Sequence, residues 1–378
     1  MPPRLIMVVN CPAFFLSHRL KIALAAQKSG FEVHIATGPG LAIKKIVDNG
    51  LTHQKLPLSR SGMNLVSEFR VLYSLYRLFI KIQPQLVHLV TIKPVLYGGI
   101  AARLTGVQSV VAAVSGLGFN FTAKGLKSAL VSYLVSKMYR FALGKQSLKV
   151  VFQNSNDCKT LSKVADLSPD KVIIIEGSGV DLSEYTRTPL PKGLPIVVMA
   201  ARLLRDKGIY EFVEAAELLK NRGVKAKFWL VGDRDEGNPA SVDISELEVW
   251  RKNKNVELLG HREDIPHVFS QAKIVVLPSY YREGLPKVLI EAAACGRPVV
   301  TTDMPGCRDA IDPEVSGILV PPRDTGTLAD AIQRLLLDPK LCEQMGKSAR
   351  QLAEQKFSIE KVVSTHMSIY NELLETSF

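Results

Sequence analysis

Short runs of Val, Ile and Leu recur along the chain, separated by longer stretches in which apolar residues return every three or four positions. A brief β-branched run bounded by turn residues suits a strand buried on both faces, and a stretch of helical period suits the helix that covers it. The alternation therefore predicts β-α-β units around parallel sheets. In the first half the expected strands are 4–9, 32–36, 86–90, 109–114, 149–153 and 172–175, with helices over 17–29, 64–82 and 125–144. A second series of strands is expected at 196–200, 226–231, 256–259, 273–277, 298–302 and 317–320, and a long amphipathic pattern runs from Ser358 to Leu374. Between the two series, Thr186 to Pro195 holds three prolines and one glycine, which marks an interdomain linker.

The pattern predicts an α/β protein of two doubly wound, Rossmann-like domains, 1–187 and 195–357, facing a cleft between the carboxyl ends of their strands, where ligands of this architecture bind. A length of 378 residues supports the division, because it exceeds what one core usually sustains; 47% apolar and 22% charged content is ordinary for a globular chain. The sequence carries no internal repeat and no low-complexity tract.

Charge changes this picture in the first half only. Residues 1–190 carry 23 Lys+Arg against 9 Asp+Glu, while 191–378 carry 25 against 27, so the net charge of +12 resides in the N-terminal half. Such a field gathers anionic partners, whether a phospholipid surface, a nucleic acid or a phosphorylated acceptor, although ordinary solubilising lysines give the same count. Within 64–82, Arg70, Ser74, Arg77 and Lys81 fall on one stripe flanked by Phe69, Tyr73, Tyr76 and Phe79, a pattern that fits anionic headgroups or a solvated helix edge. The stretch 124–145 is basic at its ends and apolar on all sides, and predicts a buried helix with Lys124, Lys127, Lys137 and Arg140 reaching outward. The uncharged stretch Leu104 to Ala123 contains Gln108, Asn120 and glycines, so no transmembrane helix is expected. Arg4 and the apolar residues up to Leu16 have the look of a signal peptide, but His18, Arg19 and Lys21 interrupt the run and Leu5 to Val9 reads equally as a first strand. Five scattered cysteines, odd in number and without a C-x-x-C pair, suggest neither a disulfide framework nor a zinc knuckle and fit a reducing cytosol.

Two constellations carry chemistry. In Leu277 to Gly296 a strand ends, a loop bearing Glu283 and Gly284 follows, and a helix opens with Pro286 at its first position. Free backbone N–H groups and the positive end of the dipole at such a terminus suit a diphosphate. Glu283 and Glu291 are about 12 Å apart if the interval is helical, enough to touch opposite ends of a nucleotide-sugar, and a carboxylate is a fitting acceptor for paired hydroxyls. An ordinary helix cap or ion pair is the competing reading for Glu291. In Ala201 to Gly208, again between a strand and a helix, Arg202 can fork across two phosphate oxygens and Lys207 supplies a point charge, as a departing nucleoside diphosphate requires.

Arg202 with Lys207, Val231-Gly232-Asp233, Gly260-His261-Arg262 followed by Asp264-Ile265-Pro266, and Glu283 to Glu291 occur in the order and spacing of the family 4 retaining glycosyltransferases, which the chain resembles over nearly its whole length. The resemblance implies a GT-B fold, a nucleotide-sugar donor, catalysis without a divalent metal or other cofactor, and a final segment, 358–378, that crosses back onto the first domain. It places Glu283 on the donor sugar, Glu291 on the ribose, Arg202 and Lys207 on the diphosphate, Gly284, Leu285 and Pro286 along the phosphates, and Gly232 and the backbone around Arg262 on the base side. Asp233-Arg234-Asp235 has the letters of a metal-binding Asp-x-Asp but stands where the family has its base-side loop.

Phe14-Phe15-Leu16-Ser17-His18-Arg19 and Val87-His88-Leu89-Val90-Thr91-Ile92-Lys93-Pro94 are similar to the subgroup that adds an N-acetylhexosamine to diphospho-undecaprenol-linked sugars in bacterial surface glycan synthesis. That likeness implies a UDP-linked donor, a polyprenyl-diphosphate-linked acceptor, no nucleic-acid partner, and a cytoplasmic enzyme peripheral at the inner face of the plasma membrane, held there by its basic N-terminal domain. His18 is the candidate catalytic residue from the first domain, with an N-cap or core histidine as the alternative. The loop Asn10 to Phe15 lacks paired glycines, and Ser115-Gly116-Leu117-Gly118 stands where many relatives carry a histidine. No enzymic nucleophile is evident, so a front-face transfer is expected, in which the leaving phosphate helps deprotonate the acceptor. A 2-epimerase of the same fold and a basic nucleic-acid-binding protein are the alternative functions.

Overall fold

The computed structural model describes residues 2–58, 65–117, 126–235 and 237–375. They form two compact units, Met1–Ser178 with Glu360–Phe378, and Gly179–Ile359. The proline-rich segment expected as the linker lies within the second unit. Arg297, fully buried, donates to the Thr188 carbonyl oxygen at 3.0 Å, and the Tyr185 hydroxyl reaches Glu291, so the segment is tied down by its polar contacts.

The first unit is built on a seven-stranded sheet: β1 (Arg4–Val9), β2 (Glu32–Thr37), β3 (Thr52–Lys55), β4 (Leu86–Val90), β5 (Ser109–Val114), β6 (Leu148–Phe152) and β7 (Val172–Ile174). All pairings are parallel, in the order β3-β2-β1-β4-β5-β6-β7. β3 is the strand that periodicity misses; Thr-His-Gln-Lys has no apolar run, and it joins an edge by its backbone ladder and a 2.9 Å side-chain contact between His53 Nε2 and the Thr37 hydroxyl. The helices are α1 (Pro12–His18), α2 (Leu20–Lys28), α3 (Ile43–Asp48), α4 (Leu65–Ile82), α5 (Gly99–Leu104), α6 (Leu126–Leu143) and α7 (Ser155–Ala165), with a π-helical turn at Pro94–Gly98. The helix expected over 17–29 is two, broken at Arg19, whose backbone leaves the helical region at φ −132°.

α6 differs from expectation. Tyr139, Ala142 and Leu143 face the core, but Tyr133, Leu134 and Phe141 are exposed, so the helix is not buried on all sides. It covers one face of the sheet beside α5 and keeps apolar side chains on its outer face. Lys137 and Arg140 are exposed; Gly118, Asn120 and Lys124 lie outside the described residues, as does the side chain of Lys127.

The second unit has a six-stranded parallel sheet: β8 (Ile196–Ala200), β9 (Lys227–Val231), β10 (Glu257–Gly260), β11 (Ile274–Leu277), β12 (Val299–Thr302) and β13 (Gly317–Val320), in the order β10-β9-β8-β11-β12-β13. Its helices are α8 (Ile209–Asn221), α9 (Ile244–Asn253), α10 (Ile265–Gln271), α11 (Lys287–Ala294), α12 (Thr325–Leu337) and α13 (Pro339–Lys356). In both sheets the central strands are buried end to end, as apolar runs with helices on both faces require.

A last helix, α14 (Ile359–Glu375), packs Val362, Ile369, Tyr370 and Leu373 against the face of the first sheet that carries Leu5, Met7, Val9 and Val111. Each such aliphatic side chain contributes about 1.5–3 kcal/mol when fully buried. Polar contacts fix the register: His88 Nδ1 and the Tyr370 hydroxyl are 2.5 Å apart, Ser109 donates to the Leu373 carbonyl oxygen at 2.9 Å, and Lys149 pairs with Glu372 at 2.6 Å.

Candidate active site

In the second sheet the connections leave β8 and β11, which lie side by side, in opposite directions. A crevice opens outside the carboxyl ends of such strands. The loop after β8 carries Arg202 and a 3-10 turn, Arg205–Lys207; the loop after β11 carries Ser279 and Glu283. Two backbone bonds join them, from Tyr280 N and Tyr281 N to the Asp206 carbonyl oxygen at 3.0 and 3.2 Å. Gly208 makes the approach possible, since at φ +80° a Cβ there would stand 2.3 Å from the Pro278 carbonyl oxygen.

The structure brings Lys207 and Glu283 into contact, Nζ to Oε1 at 2.5 Å, with both side chains largely buried. Ser279, fully buried, donates to the same carboxylate at 2.9 Å, and its own carbonyl oxygen accepts from Thr302. Arg202 belongs to the same neighbourhood but is half-exposed and pairs with Asp235. The Asp206 carboxyl reports the grouping: burial raises its pKa, Lys207 opposes the shift, Glu283 adds to it and Arg202 opposes it again. Beneath the loop, burial first and Glu283 second push the Cys307 thiol up to about 12, so it stays protonated and inert.

Glu291 sits on α11, nearly buried, where its Oε1 accepts from the Tyr185 hydroxyl at 2.8 Å and faces Lys287 Nζ at 3.1 Å. Gly284, Leu285 and Pro286 are buried at the entry to this helix. Pro286 caps the helix rather than opening it: its ψ of 120° is extended, and Lys287 is the first helical residue. On the far side of β8, Gly232 (φ +132°) brings its backbone so near Ala201 that a Cβ would lie 1.9 Å from the carbonyl oxygen there. Gly232 N donates to the Gly260 carbonyl oxygen at 2.8 Å, and His261 N to Asp233 Oδ1 at 3.1 Å, which sets the loop bearing Arg262 beside it. Arg262 is exposed and grips Asp264 through two bonds, 2.7 and 2.5 Å, drawing that carboxyl down to about 2. Asp233 and Asp235 are both engaged by the protein's own donors.

His18 belongs to the first unit. It ends α1 with its ring stacked on Phe14, centroids 4.0 Å apart, and Nδ1 2.6 Å from the Ser17 hydroxyl. Sequence reasoning missed Ser279 and Tyr185, and weighed Asp235 only within an Asp-x-Asp pattern and not as the partner of Arg202. Ser279 was findable, being a small polar residue between a strand end and Glu283; Tyr185 lies 106 residues from Glu291, and no local pattern links them.

Two family models match the chain: a glycosyltransferase 4-like domain over residues 7–154 and glycosyl transferases group 1 over 184–352. The capsular polysaccharide biosynthesis glycosyltransferase CapM of Staphylococcus aureus is 30% identical over 360 residues, spanning 93% of this chain and 92% of that protein. The chain belongs to the family 4 glycosyltransferases. This glycosyltransferase is also 28% identical, over 96% of its length and 98% of the relative's, to the N,N'-diacetylbacillosaminyl-diphospho-undecaprenol alpha-1,3-N-acetylgalactosaminyltransferase of Campylobacter jejuni. Among solved structures, HepE of Anabaena in complex with UDP superposes with a TM-score of 0.78 at 18% identity, covering 98% of this chain and 100% of that one, which places the glycosyltransferase in the GT-B fold. These relatives support glycosyl transfer and not the epimerase alternative.

Proposed function

We propose that this glycosyltransferase moves a hexose or N-acetylhexosamine from a UDP-linked donor, with retention and without a divalent metal, to a polyprenyl-diphosphate-linked acceptor at the inner face of the cytoplasmic membrane. The observation that carries the reading is the Lys207, Glu283 and Ser279 contact at the switch point of the second sheet, with Glu291 fixed by Tyr185 and Lys287 in the same unit. Glu283 accepts hydroxyls of the donor sugar and Glu291 those of the ribose. A diphosphate shares Lys207 with Glu283 and draws Arg202 from Asp235, so two cations meet the charge that grows on the departing phosphate. Gly232 and the Arg262 loop face the base. The acceptor oxygen bonds to the anomeric carbon on the face that the phosphate leaves, and its proton passes to a phosphate oxygen. The acceptor class follows the name of the Campylobacter relative.

A thermal-shift comparison of nucleotides tests the donor class, because a ligand selective for the folded state raises its melting temperature. UDP and UDP-sugars are expected to stabilise the protein in the presence of EDTA, and ADP and GDP much less. Equal stabilisation by all three, or stabilisation only with added metal, overturns this part of the proposal.

The membrane part of the proposal draws on the outer face of α4, α5 and α6. Val66, Phe69, Tyr73 and Ile80 of α4, Leu104 of α5, and Tyr133, Leu134 and Phe141 of α6 are all exposed. Basic side chains lie over three of the rings: Arg77 on Tyr73 at 6.0 Å, Lys137 on Tyr133 at 5.4 Å and Arg103 on Phe141 at 4.7 Å. Aromatic bodies beside cationic heads suit an anionic headgroup layer. No helix among the described residues is long and apolar enough to cross a membrane. The protein is expected to sediment with phosphatidylglycerol vesicles and not with phosphatidylcholine, and the triple variant Phe69→Ser, Tyr133→Ser, Phe141→Ser to remain in the supernatant. Sedimentation of the triple variant with phosphatidylglycerol contradicts the assignment of the face.

A further inference from the structure

The loop after β11 carries two tyrosines in succession, Tyr280 and Tyr281, between Ser279 and Glu283, and the donor contacts described above use neither. Their surroundings differ. The Arg323 guanidinium lies over the Tyr280 ring at 4.4 Å, so that ring is already covered. Tyr281 is 40% exposed, and the cation over its face is Lys207, with Nζ 6.0 Å from the ring centroid. Lys207 Nζ also holds Glu283 Oε1 at 2.5 Å. An accessible aromatic ring therefore flanks the lysine and carboxylate around which the donor site is built.

The backbone beneath this ring is fixed. Tyr281 N donates to the Asp206 carbonyl oxygen at 3.2 Å and to the Ser279 hydroxyl at 3.3 Å. Burial first, then Asp206 and Glu283, raise the pKa of its phenol, while Arg202 opposes them, so the group stays neutral among the charges of the site. Its hydroxyl makes no hydrogen bond to any of the described residues, and what the ring offers is its face. That face carries the negative lobe of the aromatic quadrupole, which repels a phosphate and attracts C–H groups. A pyranose suits the combination: the C–H bonds on one side of the sugar pack against the ring, and the hydroxyls at its rim donate to the neighbouring carboxylate.

We propose that Tyr281 is the platform on which the transferred sugar rests, its ring taking the C–H side of the pyranose whose hydroxyls Glu283 accepts. This rests on the reading of Lys207 and Glu283 as donor-binding residues. As the diphosphate draws Lys207, the ring face that the ammonium covered becomes available to the sugar, so nucleotide and sugar are sensed by different side chains. Tyr281→Leu is the discriminating variant: it removes the aromatic face but keeps apolar bulk and both backbone bonds, so the fold should hold. Tyr281→Phe keeps the face and loses only a hydroxyl that no described residue binds.

Calorimetry with UDP, UDP-glucose, UDP-galactose, UDP-N-acetylglucosamine and UDP-N-acetylgalactosamine tests the assignment in the wild type and both variants. For the UDP-sugar that the wild type binds most tightly, Tyr281→Leu is expected to weaken binding about tenfold, and Tyr281→Phe to stay near wild type, while UDP binds all three proteins alike. Undiminished UDP-sugar affinity in Tyr281→Leu overturns the platform and leaves the donor reading intact. Equal weakening of UDP and UDP-sugar overturns it too, since the ring then acts only by holding Lys207. A wild type that binds neither UDP nor any of the UDP-sugars defeats the donor reading and the platform together, and the UDP arm alone identifies that outcome. Saturation-transfer NMR needs no variant: irradiating the aromatic protons of the wild type should saturate the sugar C–H protons of the bound UDP-sugar. No saturation there overturns the platform even if Tyr281→Leu does not fold.

Discussion

Tyr185→Phe isolates a residue that touches no ligand in this account and acts only through Glu291. The phenol donates to Glu291 Oε1 at 2.8 Å in a nearly buried setting, and burial with the nearby carboxylate drives its pKa far above the ordinary tyrosine range. A hydrogen bond to a charged group is worth about 1.5–3 kcal/mol. Lys287 remains 3.1 Å from the same oxygen and keeps part of the carboxylate's orientation, so the lower end applies. A loss of about 1.4 kcal/mol is a tenfold change, and the donor KM is therefore expected to rise about tenfold. Because the ribose contact is made in the ground state and the transition state alike, kcat should change little. Steady-state kinetics with varied UDP-sugar at saturating acceptor measures both constants. A fall in kcat at constant donor KM, or no change in either, refutes the link from Tyr185 through Glu291 to the nucleotide.

Further expectations follow from neighbouring contacts. Ser279→Ala removes one of the two donors on Glu283 Oε1, leaving Lys207, and should lower kcat by about tenfold while UDP affinity, measured by calorimetry, stays near wild type. Gly232→Ala would put a Cβ 1.9 Å from the Ala201 carbonyl oxygen, so the strand end must shift; weaker UDP binding and a lower melting temperature are expected together. Burial, then Arg19, lowers the His366 pKa from 6.5 to about 4, and burial lowers that of His88 as well, next to Arg19 and Tyr370. The unfolded chain binds the His366 proton below pH 6.5 and the folded one resists until about 4. Stability from this group is thus full above 6.5 and lost as pH falls toward 4, by roughly 3 kcal/mol. Urea unfolding at pH 7 and pH 5 should show the loss, with a shallower dependence in His366→Asn; equal slopes would remove His366 from the explanation.

The strand series was legible because a strand buried on both faces must be continuously apolar, and Ile196–Ala200 and Gly317–Val320 fall where the pattern places them. β3 was not, since an edge strand such as Thr52–Lys55 pairs by backbone and leaves no period. The apolar outer face of α6 was misread for a related reason: Tyr133, Leu134 and Phe141 carry the same letters whether they face a core or a surface. The places of Arg202, Lys207 and Glu283 in strand-end loops and of Glu291 on the helix that follows were legible because those loops are short and their spacing survives in sequence. Their partners were not, as Tyr185 with Glu291 and Asp235 with Arg202 meet only through the fold.

The central claim is that Lys207, held against Glu283, meets the charge of the departing diphosphate. Transfer by Lys207→Ala from a UDP-sugar, at saturating donor and acceptor, measures it most directly, since removing one such contact costs about a hundredfold or more in kcat. The account predicts that loss with an unchanged circular dichroism spectrum; transfer at the wild-type rate by the folded variant would contradict it.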